Sequence, residues 1–524
     1  MKKIFTLLVS AFFAATMSAT DYTGPLSVSL GGNTTPSGET TVSYTEGADG
    51  TCNLTLKNFS FLSMPIGTIN LTEVELIKSP LVSVFSDDKQ LIIDNGDDKN
   101  VSQWLGPSLG EMNIFVKGFV QNGKLNAVIL IDMNASVGMI KVLFGEHADE
   151  VGQIPNSGFE RFHTVKYSNA TSQEPDGWHS FMSCDGNLSA FVAGTAHTDV
   201  SKDVRPGSTG TQSLKIFSTA VNLGLVKKSA NGTITTGRLS AGSAKEDDPA
   251  NHSYIDMSKT DVDAAGDPFC AAVTALPDSI EAWVKFEPGK EGITATMSAA
   301  ITDGTYYQDP EDKTYNNVCG KASNSAIAAN DGKWQLVKAP FDYSYLENDN
   351  EDLLTPKAIL VTMSTCSVPG GGSTDSKKPD NLYIDDVRLV YNDVPTAIKY
   401  DGQPIPGFEA GKFEYDLNGT EDFNVEKLDE DVKSIGYDTS VSVVSGENGA
   451  ATVYYTIISG DYQNALTYTI NYTKGATGIN SAKTGTSNKV AGVYDLSGRL
   501  VKYNGQHGVY IVRTADGKTF KINK

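Results

Sequence analysis

The feature that most narrows the fold is a period of two: apolar and polar residues alternate in short runs from about residue 20 onward, and turn residues break each run. In Cys52-Asn-Leu-Thr-Leu-Lys-Asn-Phe59, Leu54 and Leu56 fall on one face, the pattern of a strand buried on one side. Comparable runs recur at 68–76, 91–93, 112–119, 124–131 and 139–144, and Asn122-Gly123 marks a hairpin between two of them. The chain therefore reads as all-β. At 524 residues it is too long for one core, so it is expected to be multidomain. For residues 20–146 a small antiparallel β-barrel is the economical solution, because closure removes exposed strand edges.

Further along, Asn156-Ser-Gly-Phe-Glu160 and Leu382-Tyr-Ile-Asp-Asp-Val-Arg-Leu-Val-Tyr391 read as the first and last strands of a jelly-roll β-sandwich over residues 151–393. Between them, Ser279-Ile-Glu-Ala-Trp-Val-Lys-Phe286 and Trp334-Gln-Leu-Val-Lys-Ala-Pro-Phe-Asp-Tyr343 alternate as strands of two sheets sharing a core. Residues 395–473, with runs at 413–417, 440–444, 451–458 and 465–471, fit a small immunoglobulin-like sandwich serving as a spacer. Residues 474–488 have the Ser, Thr, Gly, Asn and Lys content of a flexible tether, and residues 489–524 read as a few short antiparallel strands with a basic end.

The N-terminus carries an export signal: Lys2 and Lys3, an apolar run over 4–15, then small residues up to a cleavage site after Ala19, giving a signal peptide over 1–19. That run is too short to remain as a membrane helix, and no later stretch approaches the ~20 apolar residues a span requires. A lipid anchor needs a Cys just past the apolar run, whereas the first is Cys52. The net charge of -21 makes nucleic acid an unfavourable partner, since phosphate recognition needs clustered Lys and Arg. Cys52, Cys184, Cys270, Cys319 and Cys366 are widely and irregularly spaced, which excludes a finger-type metal site and a dense disulfide framework. The four from Cys184 onward leave room for a bridge or two in an exported domain.

Three stretches resemble known families. Asp21-Tyr-Thr-Gly-Pro-Leu-Ser-Val28, the Asp49-Gly50-Thr51 turn and Gly67-Thr-Ile-Asn-Leu71 resemble the calycin-like β-barrel family of secreted Bacteroidetes proteins, which implies an up-and-down barrel able to hold a small or apolar ligand. The four strand motifs of 151–393 together look like the carbohydrate metabolism domain family, whose jelly roll is similar to that of carbohydrate-binding modules. Tyr494-Asp-Leu-Ser-Gly-Arg499, Gly508-Val-Tyr-Ile-Val-Arg513 and the Lys-rich end over 518–524 look like the C-terminal sorting domain of type IX secretion substrates. That likeness implies the type IX secretion machinery as a partner, passage across the outer membrane, and an extracellular or surface-attached product.

Residues that could carry chemistry are few. Gly106-Pro-Ser-Leu-Gly110 matches a nucleophile elbow in letters only, because Pro107 precedes the Ser and no helical period follows, so Ser108 reads as part of a turn. His147, His163, His179, His197, His252 and His507 stand singly, without zinc-site spacing. Glycoside hydrolysis needs two carboxyls held across one bond, which a sequence cannot display. In a jelly roll the first and last strands lie side by side, and alternation turns one member of Asp385-Asp386 inward. Glu160 and Asp386, with a backbone carbonyl near Asn156, are therefore candidate ligands of a structural calcium ion, an expectation in line with carbohydrate-binding jelly rolls. Sugar recognition rests on an aromatic ring stacked on the apolar face of a pyranose. Trp178, Tyr306 and Tyr307 follow Asp-Gly turns and are the candidate ligand-binding residues, while Trp283 and Trp334 lie within alternating runs and are expected in the core. The reading is a secreted or surface-displayed protein binding a polysaccharide or glycoconjugate, with no catalytic residues assigned; a glycan-active enzyme and a structural adhesin are the alternatives.

Overall fold

The computed structural model describes residues 19–47, 49–224, 227–346, 354–475, 490–494, 501, 509–514 and 519–523, and it is all-β and multidomain. Strands β1 (Thr20–Leu30), β2 (Asn33–Glu46), β3 (Thr51–Phe61), β4 (Met64–Lys78), β5 (Val82–Leu91), β6 (Met112–Gln121), β7 (Lys124–Met133) and β8 (Gly138–Phe144) pair antiparallel in chain order, and β1 pairs with β8 to close a barrel. Asn122 and Gly123 both take left-handed φ angles, 51° and 70°, as a two-residue hairpin turn of this hand requires. Inward-facing Leu54, Ile69, Ile114 and Ile129 meet Phe85 and Phe144, so side chains of the chain itself pack the interior where the family likeness allows a small ligand. Ser108 does sit in a single 3-10 turn, its hydroxyl donating to Leu105 O at 2.7 Å.

Strand β7 is buried on both faces after Lys124, which one barrel core cannot explain. Its outward side chains Val128 and Leu130, with Phe115 of β6, pack against Ile458 and Tyr462 of the 395–473 module. Polar contacts flank this patch: Asn134 Nδ2 donates to Thr456 Oγ1 at 3.0 Å, and Ser440 Oγ to Asp132 Oδ2 at 2.5 Å. Residues up to Thr473 consequently form one compact unit, and the expected spacer is instead a clamp on the barrel. The module itself has sheets of three and four strands around Ile398, Tyr415, Val453 and Tyr468.

Lys117 is caught in this interface. Its ammonium donates to Gly460 O at 2.5 Å and lies 4.5 Å from the centre of the Tyr462 ring. Burial lowers its pKa to about 8, against the opposing pull of Asp438 and Asp461. Because the unfolded lysine holds its proton up to its ordinary value near 10.5, folding releases a proton between these pH values, and stability must rise with pH across that window, by roughly 3 kcal/mol in full. Melting from pH 8 to 9.5, before tyrosines ionise, should show this rise, and Lys117→Met should flatten it.

The sandwich has two sheets. One orders its strands Thr198–Ser201, Ser213–Phe217, Asn381–Val390, Ser279–Glu287, Gln335–Pro340; the other runs Thr233–Thr235, Ala358–Ser364, Ala295–Thr302, Val318–Ile327. Ile216, Val284 and Ile384 from the first interleave with Ile234, Met297 and Met363 from the second. The expected first strand, Asn156–Glu160, is a turn instead, with Asn156 and Phe159 left-handed at φ 48° and 53°. It still lies beside the last strand, Val387 N donating to Ser157 O at 3.0 Å. All five cysteines are free thiols, so the bridge that sequence allowed is not formed.

Lys474–Lys524 is a second compact unit, whose described strands Val490–Tyr494, Val509–Thr514 and Thr519–Asn523 make one antiparallel sheet. Residues 1–18 of the expected signal peptide and most of the expected tether over 474–488 lie outside the described residues. Among the described residues no helix is long and apolar enough to cross a membrane.

Candidate ligand-binding cleft

Three neighbouring strands of the second sheet share one local pattern: Thr233-Ile-Thr235, Thr362-Met-Ser364 and Thr296-Met-Ser298. Alternation drives Ile234, Met363 and Met297 into the core and turns every flanking hydroxyl to the other face. Register then aligns them in two cross-strand rows, Thr233–Ser364–Thr296 and Thr235–Thr362–Ser298. Thr233, Ser364, Thr296, Thr362 and Ser298 of these rows floor a cleft of about 560 Å³, while Thr235 is buried beneath it.

One wall is the three-stranded sheet of Arg238–Ala241, Asn251–Ile255 and Tyr307–Asp309. The chain passes from floor to wall at Gly237, where a Cβ would lie 2.1 Å from Tyr254 O, so only glycine permits this close approach. Hydroxyls stitch the two together: Thr235 Oγ1 lies 3.2 Å from Thr362 Oγ1, Thr362 donates to Ser253 Oγ at 2.8 Å, and Ser253 donates to Asp309 O at 3.2 Å. Phe181, Leu188, Val192 and Val221 add apolar surface to the lining, and Leu188 N donates to Ala241 O of the wall at 2.8 Å. The rim is the 242–250 loop, folded around Asn251, which accepts from Gly242 N and Ser243 N at 3.0 Å and donates to Lys245 O at 2.8 Å. It carries Glu246, Asp247 and Asp248 to the opening.

Asp309 is the carboxyl on the floor. Ser298 Oγ donates to its Oδ2 at 3.0 Å, and burial pushes its pKa above the ordinary Asp value despite that bond. His252, also in the lining, donates from Nδ1 to Pro249 O at 2.8 Å.

The floor is anchored from behind by histidines that looked isolated in sequence. His179 bridges to Thr235 through both backbone groups, and its Nδ1 donates to Gly237 O at 2.8 Å. Its Nε2 and that of His163 both point at Asp263 Oδ2, at 3.3 and 3.5 Å, and Asp176 Oδ1 is 3.0 Å from His163 Nδ1. For His163, burial opposes the charge, but the Asp176 bond and the nearby Asp263 and Glu174 carboxylates prevail and raise its pKa.

The sugar-stacking candidates are redistributed by the structure. Trp178 is fully buried, its ring 5.3 Å from Phe159 and its indole N–H donating to Pro155 O at 2.9 Å, so it is core and cannot stack on a ligand. Tyr307 is likewise buried, packed with Met257, Ala300 and Leu360. Tyr306 stays 37% exposed, its hydroxyl 3.3 Å from His252 Nε2 at the cleft's margin. Conversely, Trp283 and Trp334 are only half-buried: the Arg205 guanidinium lies 5.6 Å from the Trp283 ring, and Trp334 donates to Asp203 Oδ1 at 3.0 Å.

Asn156, Glu160 and Asp386 do border a common, separate cleft of about 600 Å³. Each is engaged by the protein. Glu160 accepts from Thr211 N, Thr211 Oγ1 and Gln212 N at 2.9, 3.0 and 3.1 Å, Asp386 is paired with Arg205, and the Asn156 amide binds the backbone of Arg161 and Asp176. The three residues expected to hold calcium thus each have protein partners, with Arg205 supplying the positive charge beside Asp386. Asp385 beside it accepts from Arg205 N at 3.0 Å, and burial raises its pKa to about 6. Among the described residues no three His, Cys, Asp or Glu side chains group as a metal site.

Two solved structures share limited overlap with the chain. A glycoside hydrolase-like protein from Bacteroides thetaiotaomicron aligns over 53% of this chain and 86% of its own, at 13% identity and TM-score 0.31. Carbohydrate-binding modules of the β-sandwich superfamily align over 66% and 96%, at 7% identity and TM-score 0.20. Likenesses this slight carry no weight for fold or function. No curated protein matches the chain. By family, residues 19–146 match the calycin-like β-barrel domain.

Proposed function

We propose that the protein binds a glycan in the hydroxyl-floored cleft of its sandwich, as a secreted protein shown on or shed from the cell surface. The observation that carries this reading is the double row of Ser and Thr hydroxyls in a cleft that is also lined by apolar side chains. A sugar presents the matching pair of surfaces: hydroxyls that both donate and accept, and a C–H face that prefers apolar contact. Export is supported by the N-terminal signal pattern and by the order of the C-terminal sorting motifs, through which the type IX machinery would act.

A glycan array probed with the full chain and with Thr296→Trp tests the reading. Thr296 lies on the floor, and an indole there covers the neighbouring hydroxyls and obstructs the cleft. Hits are expected with the native chain and their loss with the variant at unchanged melting temperature. Hits that survive Thr296→Trp would remove the cleft from consideration.

A further inference from the structure

The cleft is unevenly charged. Glu246, Asp247, Asp248 and Asp309 line it, against one lysine, Lys228, already paired with Glu246 at 2.8 Å. Lys245 answers Asp247 at 3.1 Å. Among the described residues no Lys or Arg pairs with Asp248 or Asp309; these accept from Ala250 N and Ser298 Oγ, each at 3.0 Å. An incoming group of negative charge meets one carboxylate beside the floor and another on the rim, neither held in an ion pair, on which Lys321 and Lys245 respectively act only through space, within walls that limit screening by water. A cation meets the reverse.

Resting on the glycan reading above, we infer that the sugar taken by this cleft carries a free amino group, its ammonium seated against Asp309 and its hydroxyls against the Ser and Thr rows. Ser298 holds one oxygen of Asp309 and so fixes the carboxyl while the other accepts from the ligand. The bond is charge-assisted, and such bonds are both shorter and stronger than those between neutral groups. Sugars bearing carboxylate or sulfate are repelled by the same arrangement. N-acetylation removes the charge and adds bulk at that position, so the acetylated sugar is the informative comparison. Asp309 must be ionised for the pairing, and since burial raises its pKa, affinity declines on acidification sooner than for an ordinary aspartate.

Calorimetry on the full chain with a β-1,4-linked glucosamine tetramer, its N-acetylated counterpart and a hexuronate tetramer decides the matter. The amine is expected to bind about tenfold tighter than the acetylated form, the size of one charged hydrogen bond, with no measurable uronate binding. Asp309→Asn should bring the ratio of amine to acetylated affinity close to one. If that variant does not fold, the native protein alone suffices, because the ratio must shrink with added salt and with falling pH. Equal or better binding of the acetylated or uronate tetramer overturns the amine inference and leaves glycan binding standing. Binding of none of the three overturns it too, and a glycan array without hits takes the glycan reading with it.

Discussion

Replacing Trp178 by Ala is expected to destabilise the sandwich by about 3–5 kcal/mol, the range for deleting a fully buried large aromatic side chain. The side chain has no exposed surface, it packs beside Phe159 within the main core, and its removal leaves Pro155 O without a donor. Denaturant unfolding followed by fluorescence measures this directly. A change below about 1 kcal/mol, the size usual at surface positions, would mean that Trp178 is not in the core.

Ending the chain at Val394 should destabilise the barrel nearly as strongly. The module beyond covers Phe115, Val128 and Leu130, and each such side chain returned to water costs about 1.5–3 kcal/mol. Lys117 loses its Gly460 acceptor but regains water, which offsets part of the loss. The shortened protein is expected to melt lower and to associate through the uncovered patch. A barrel that melts as in the full chain, and stays monomeric, would restore the view of the 395–473 module as a spacer.

The barrel was legible in the sequence because every signal agreed there. Alternation, the Asn122-Gly123 turn and the cost of leaving strand edges exposed all point to closure, and the structure closes. Three of the four sandwich stretches read from the sequence are strands, at Ser279–Glu287, Gln335–Pro340 and Asn381–Val390, but which face of each was core was not legible. In Ser279-Ile-Glu-Ala-Trp-Val-Lys-Phe286 the inward set is Ile280, Ala282, Val284 and Phe286, and period two then forces Trp283 outward. Membership of an alternating run had placed the tryptophan in the core, but a run has two phases and Trp283 falls on the outer one. Trp178 failed for a different reason: the Pro-Asp-Gly turn before it was visible, but the segment's burial depends on contacts with residues distant in sequence. The same limit hid the His163–Asp263–His179 knot, whose members come from three separate segments.

The cleft left a faint trace. The three hydroxyl–apolar–hydroxyl triplets at 233, 296 and 362 are each unremarkable as text, and only strand order and register make them one surface. Search for sugar sites by aromatic residues passes over such a floor entirely. A run of Ser and Thr at period two, repeated in strands that later prove adjacent, is the signal that could have found it.

The central claim is that ligand enters through the 242–250 rim and rests on the hydroxyl rows, and hydrogen exchange of the full chain with and without a bound glycan tests it most directly. Slower exchange is predicted over 242–250, 296–298 and 362–364. Protection confined to the barrel, or to the sheet face around Trp283 and Trp334, would contradict it.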